Sequence, residues 1–129
     1  MFKIDKSENF RISMTRGDSG TIRLKAKAAY FASGDIVKFT VMAWGKCTEV
    51  LFEKQMTVPS GASTTEFDIN LAPADTKEFC TAVDCCCQKY WYEISVQNAA
   101  GTATNTLLGV DENGAKELYI YPESEVMDE

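Results

Sequence analysis

No histidine occurs in the chain. That absence removes Ser–His and Cys–His nucleophiles and leaves no imidazole for a mixed metal site. Long apolar runs are missing too: nothing approaches the roughly 20 consecutive apolar residues of a membrane helix. The opening "MFKIDKSENF" has no apolar core segment, so a secretory signal is not expected there. Positive charge is in the minority, 13 Lys and Arg against 19 Asp and Glu, for a net charge of −6. A general nucleic-acid binder needs a basic stripe, and none is expected here. No segment keeps a long 3.6-residue apolar period, which argues against a helical protein.

What the chain does have is period two. "FRISM" sets Phe10, Ile12 and Met14 against Arg11 and Ser13, and "TIRLKAK" sets Ile22, Leu24 and Ala26 against three cations. "DIVKFTVMAW" aligns Val37, Phe39 and Val41; "EVLFEKQMTV" offers Val50, Phe52, Met56 and Val58; "TEFDINL" offers Phe67, Ile69 and Leu71. "KYWYEISVQ" contributes Tyr90, Tyr92, Ile94 and Val96, "ATNTLLGV" is weaker, and "KELYIYP" turns Leu118 and Ile120 inward. Between them, "RGDSG", "ASGD", "PSGAS", "NAAG" and "DENG" supply turn residues. Only "APADTKEF" reads as helix, with Pro and Asp at its start. The pattern predicts an all-β, antiparallel, immunoglobulin-like β-sandwich of about seven or eight short strands. One short helical turn is expected near residues 73–79. Residues 1–8 read as an N-terminal arm, 9–122 as the sandwich and 123–129 as an acidic C-terminal tail.

Five cysteines stand out: Cys47, Cys80, Cys85, Cys86 and Cys87. An odd number with three in a row does not suit a secreted disulfide framework, so reduced thiols in a cytosolic chain are expected. Zinc could in principle draw on Cys47, Cys80, Cys85 and Cys87. However, no pair has Cys-x-x-Cys spacing, and adjacent cysteines splay apart on an extended chain. Neither a metal nor another cofactor is therefore expected. Asp and Glu fall on turns and outward positions with no convergent pair, and "GDSGT" lacks the Lys of a phosphate loop. The chain reads as a non-enzyme. "RGDS", Arg16 to Ser19, spells an integrin-binding sequence, but its glycines are what an inter-strand turn requires. It is expected to be a turn.

The order "ISMTRGDSGTIRL", "YFASGDIVKFTVMA", "INLAPADTKEF", "YWYEISV" and "LYIYPESEV" resembles a family of small phage and prophage proteins of Gram-positive bacteria. These are similar to the N-terminal immunoglobulin-like domain of baseplate upper proteins. The likeness spans roughly Ile12 to Val126. Two departures are visible: "CTAVDCCCQK" stands where the family has a short Gly-containing turn, and Glu93 where Asp is usual. The resemblance implies a structural, non-enzymatic part of a phage tail, at the baseplate or a fibre attachment. It would be made in the host cytoplasm and carried in the virion. Its partners would be other tail proteins or a second copy, with neither nucleic acid nor membrane among them. If Tyr90, Tyr92, Leu118 and Ile120 face the core, then Trp91, Tyr119 and Tyr121 face outward. Those three are the candidate interface. The alternative is a carbohydrate or host-surface binding module that uses loops such as "NAAGTATN" at one end.

Overall fold

The computed structural model describes residues 2–26, 30–46, 48–80, 87–112 and 114–122. Cys47, Cys85, Cys86 and the acidic tail 123–129 lie outside the described residues. In chain order the elements are β1 (Phe2–Asp5), a 3-10 turn (Lys6–Glu8), β2 (Arg11–Thr15), β3 (Gly20–Lys25), β4 (Ile36–Ala43) and β5 (Val50–Thr57). They continue with β6 (Glu66–Leu71), α1 (Pro73–Phe79), β7 (Gln88–Gln97), β8 (Thr104–Leu108) and β9 (Lys116–Tyr121). The chain is mostly β with a single helix among the described residues. Pro73 opens that helix, and Asp75 Oδ2 accepts the Ala72 amide at 2.7 Å while ion-pairing with Lys54 Nζ at 2.8 Å.

Two sheets form. The larger runs β1–β2–β9–β7–β4–β5, with β8 also on β7, and the smaller is the β3–β6 pair. β7 carries β9 along Gln88–Tyr92 and β8 along Ile94–Gln97, so the last two strands lie in series on one edge. The expectation of a purely antiparallel fold is corrected here: β2 and β9 pair in parallel, Ile12 with Leu118 and Met14 with Ile120. Parallel neighbours need a long crossover. Adjacent strands leave no room for one, but β2 and β9 have nearly the whole chain between them. The supposed N-terminal arm also contains a strand. β1 pairs with β2, and its Phe2-x-Ile4 alternation is too short to register as a strand signal.

The sheets share one core. Ile12, Met14, Val37, Phe39, Val41, Tyr92, Ile94, Leu118 and Ile120 line the large sheet's inner face, and Ile22, Leu24, Ile69 and Leu71 face them. Val50, expected inward, is 55% exposed. A register shift between Val41 and Met42 sets it opposite Met42 instead of continuing the inward alternation. Lys116 is the unexpected core residue, 2% exposed. Its Nζ donates to Gly109 O at 3.2 Å and to Asp111 Oδ2 at 2.8 Å, so the buried ammonium is paired and closes the excursion between β8 and β9.

Two details lock the ends of this arrangement. The Phe2 ring lies on the α-carbon of Gly20, where an added Cβ would come within 2.2 Å of it. Asn9 and Phe10 both take positive φ, 57° and 61°, at the turn into β2. Tyr92 Oη donates to Phe10 O at 2.6 Å and Asn9 Nδ2 to Ala115 O at 3.2 Å, holding that turn in place. Gly20→Ala is expected to displace the ring and cost about 1–3 kcal/mol in denaturant unfolding. Tyr92→Phe orphans the Phe10 carbonyl, at about 1–2 kcal/mol. Burial raises the Tyr92 phenol above its ordinary range. The native state therefore holds the proton more tightly than the unfolded chain. The corresponding stability is fully present below pH ~10 and falls as pH rises through that value toward the raised native one. Alkaline unfolding curves should show a shallower fall for Tyr92→Phe.

Candidate functional site

The outer face of the large sheet is where side chains converge without facing the core. Alternation along β7 sends Lys89, Trp91 and Glu93 outward; along β9 it sends Glu117, Tyr119 and Tyr121, and along β2 Arg11, Ser13 and Thr15. Register then brings Lys89 beside Tyr119, Trp91 beside Glu117 and Met42 beside Trp91. Just past β4, Trp44 folds over this patch. Its ring centroid is 6.0 Å from Trp91 and 6.3 Å from Tyr119, with the planes tilted by 54° and 55°. Such tilted pairs are favourable beyond the area they cover. Met42 beneath them is buried, while Trp44 itself is 44% exposed.

Charged groups frame the rings. The Arg11 guanidinium lies 4.5 Å from the Tyr119 centroid, and Lys89 Nζ lies 5.2 Å from Tyr119 and 5.9 Å from Trp44. Glu117 Oε1 accepts from Arg11 Nε at 3.1 Å and from Tyr119 Oη at 3.1 Å. Burial first, then donation to Glu117, raises the Tyr119 phenol above its usual range, so it remains a neutral donor at ordinary pH. The assembly is an aromatic ridge with charged groups packed beside it. Large aromatic rings with cations and a carboxylate held against them are the side-chain types enriched at protein contact surfaces.

Of the expected interface residues, Trp91 and Tyr119 are brought together here, each half-buried by its neighbours rather than fully exposed. Tyr121 is exposed but stands one outward position further along β9, outside the ring contacts. Trp44 was missed. Its signal was available in "DIVKFTVMAW": once Val37, Phe39 and Val41 face inward, Trp44 falls on the outward register.

The turn, the described cysteines and the loop singled out in the sequence lie elsewhere in the fold. Asp18 N donates to Thr15 O at 2.9 Å and Gly17 has φ 89°, the geometry of a type II turn with glycine at its third position. Gly17 N donates to the buried Thr76 Oγ1 at 2.7 Å, and Arg16 Nε donates to Cys80 O. Arg16 thus ties the β2–β3 corner to the end of α1, which is a folding role. Cys80 is buried and Cys87 half-buried, both as free thiols, and burial pushes the Cys87 thiol up, away from the reactive thiolate. Among the described residues no three His, Cys, Asp or Glu side chains gather as a metal site. In the "NAAGTATN" loop, Asn98 Oδ1 accepts from Thr102 N and Ala103 N while its Nδ2 donates to Thr102 Oγ1. Its amide is thereby engaged inside the loop.

No protein-family model matches the chain, and no curated protein matches it in sequence. Arg16→Ala is expected to lower stability by about 1–2 kcal/mol in thermal unfolding, because the Cys80 carbonyl loses a charged donor. Binding through the aromatic ridge should be unchanged by it.

Proposed function

We propose that this chain is a non-enzymatic assembly module, an immunoglobulin-like β-sandwich that works by protein–protein contact through the outer face of its large sheet. The observation that carries this is the Trp44–Trp91–Tyr119 ridge with Arg11 and Lys89 against it. Tryptophan, tyrosine and arginine are the residues that dominate binding energy at interfaces. Here contacts among the rings and the Arg11–Glu117–Tyr119 hydrogen bonds already orient these side chains, so less side-chain freedom is lost on docking. The immunoglobulin-like assignment is supported by strand order: β4, β5, β7 and β9 occupy one layer and β3 and β6 the other, as strands C, C′, F, G, B and E do in that fold.

The order of sequence motifs supports placing the module in a phage or prophage tail, at the baseplate or a fibre attachment. Its partners there would be other tail proteins or a second copy. The test is a Trp44→Ser, Trp91→Ser double variant, followed for incorporation into sedimented particles of the source bacterium and for self-association by analytical ultracentrifugation. Assembly is expected to fall at least about tenfold, the effect of losing one 1.4 kcal/mol anchor, with cooperative unfolding retained. Undiminished assembly would refute the interface. The absence of the wild-type chain from particles would refute the tail assignment.

A further inference from the structure

A second surface, independent of the ridge, lies on the edge of the small sheet. A two-stranded sheet has two free edges, and in an antiparallel pair alternate residues direct their backbone groups away from the partner. The bond from Ala26 N to Thr65 O fixes the phase. With the register Thr21↔Asn70, Arg23↔Asp68 and Lys25↔Glu66, those six residues turn their peptide groups outward. On the β6 side two of the outward groups are already taken, since Asn70 O accepts from Lys54 Nζ at 2.6 Å and Glu66 N donates to Ser63 Oγ at 3.2 Å. On the β3 side no hydrogen bond reaches the outward groups of Thr21, Arg23 or Lys25 among the described residues.

A cleft of about 640 Å³ runs along this open edge. Ile22 and Leu24 lie on one side, and Ile4, Phe10, Leu107 and Leu108 on the other. Its charged lining is Lys6, Arg23 and Lys25, with no carboxylate, in a chain of net charge −6. Arg23 is held by Asp68 at 2.9 Å, whereas Lys6 and Lys25 have no ion-pair partner among the described residues. A second copy is a poor occupant. Pairing β3 with β3 would bring Arg23 and Lys25 against cations of the same strand, which is destabilising.

We infer that the β3 edge accepts an extended acidic segment of a partner protein as an added strand. Backbone bonds from Thr21, Arg23 and Lys25 hold it, apolar side chains at alternate positions enter the cleft, and the acidic ones between them meet Arg23 and Lys25. The probe is a fluorescent eight-residue peptide alternating valine with glutamate, compared by anisotropy with a valine–lysine twin. Saturable binding of the acidic peptide alone is expected. Proline is tolerated in strands where its nitrogen faces outward. Arg23→Pro should therefore keep the β3–β6 ladder yet weaken binding about tenfold or more, while Arg23→Ala, which retains the amide, changes it far less. A second measurement uses the unaltered protein. Peptides N-methylated on one set of alternate amides should lose binding and those methylated on the other set should keep it. No saturable binding, equal binding of the lysine twin, or indifference to both methylation patterns would overturn the inference. These peptides do not engage the ridge, so the Trp44→Ser, Trp91→Ser variant should bind them normally.

Discussion

The long strand β7 is the constraint from which the rest of the large sheet follows. On one edge it pairs with β4 from Tyr90 to Gln97, and on the other it takes β9 and then β8 end to end. A strand with neighbours on both edges has no slack in register, because a shift by one residue would exchange its faces. Tyr90, Tyr92, Ile94 and Val96 must therefore point to the core, and Lys89, Trp91 and Glu93 must point away. The aromatic ridge is the outward consequence of the same pairing that buries the inward tyrosines. Stability and surface chemistry are thus fixed by one element.

Two polar links make that sheet part of a larger whole. The corner between β2 and β3 carries the chain from the large sheet to the small one, and Thr76 and the Cys80 carbonyl hold it against α1. At the opposite end Lys116 holds the β8–β9 excursion. Each satisfies a buried backbone or side-chain group that would otherwise carry a desolvation cost of about 1–3 kcal/mol. The exposed Arg23–Asp68 pair is of another kind, since solvent screens it and it adds little to stability. Its position beside an open edge is of more consequence than its energy.

Much of this was legible in the sequence wherever side chains alternate for long enough. The inward sets of β2, β4, β7 and β9 can be read directly from "FRISM", "DIVKFTV", "KYWYEISVQ" and "KELYIY", and α1 from its Pro-Asp start. β1 escaped because four residues carry too little periodic signal, and the β2–β9 partnership because alternation records which face a residue takes but not which strand lies beside it. Lys116 escaped for a different reason. Its neighbours predict an inward position, but a lysine there is acceptable only with Asp111 and Gly109 O at hand, and those come from a turn whose path the sequence does not specify. Trp91 and Tyr119 were visible as outward aromatics. Their joining into one ridge depends on Trp44, and alternation gives its outward side but not how it packs across β7 and β9.

The parallel pairing of β2 with β9 also determines how the fold would respond to force. Phe2 and Tyr121 lie toward the same end of the sheet, through the pairs Phe2↔Met14 and Thr15↔Tyr121. Tension applied at these points first peels β1 from β2, one hydrogen-bonded pair at a time. Once β1 is gone, the pull on Arg11 and Tyr121 acts at opposite ends of two strands that run the same way. It must then shear every β2–β9 bond at once instead of unzipping them in turn. The first strand would act as a yielding outer layer, and the second and last as a mechanical clamp.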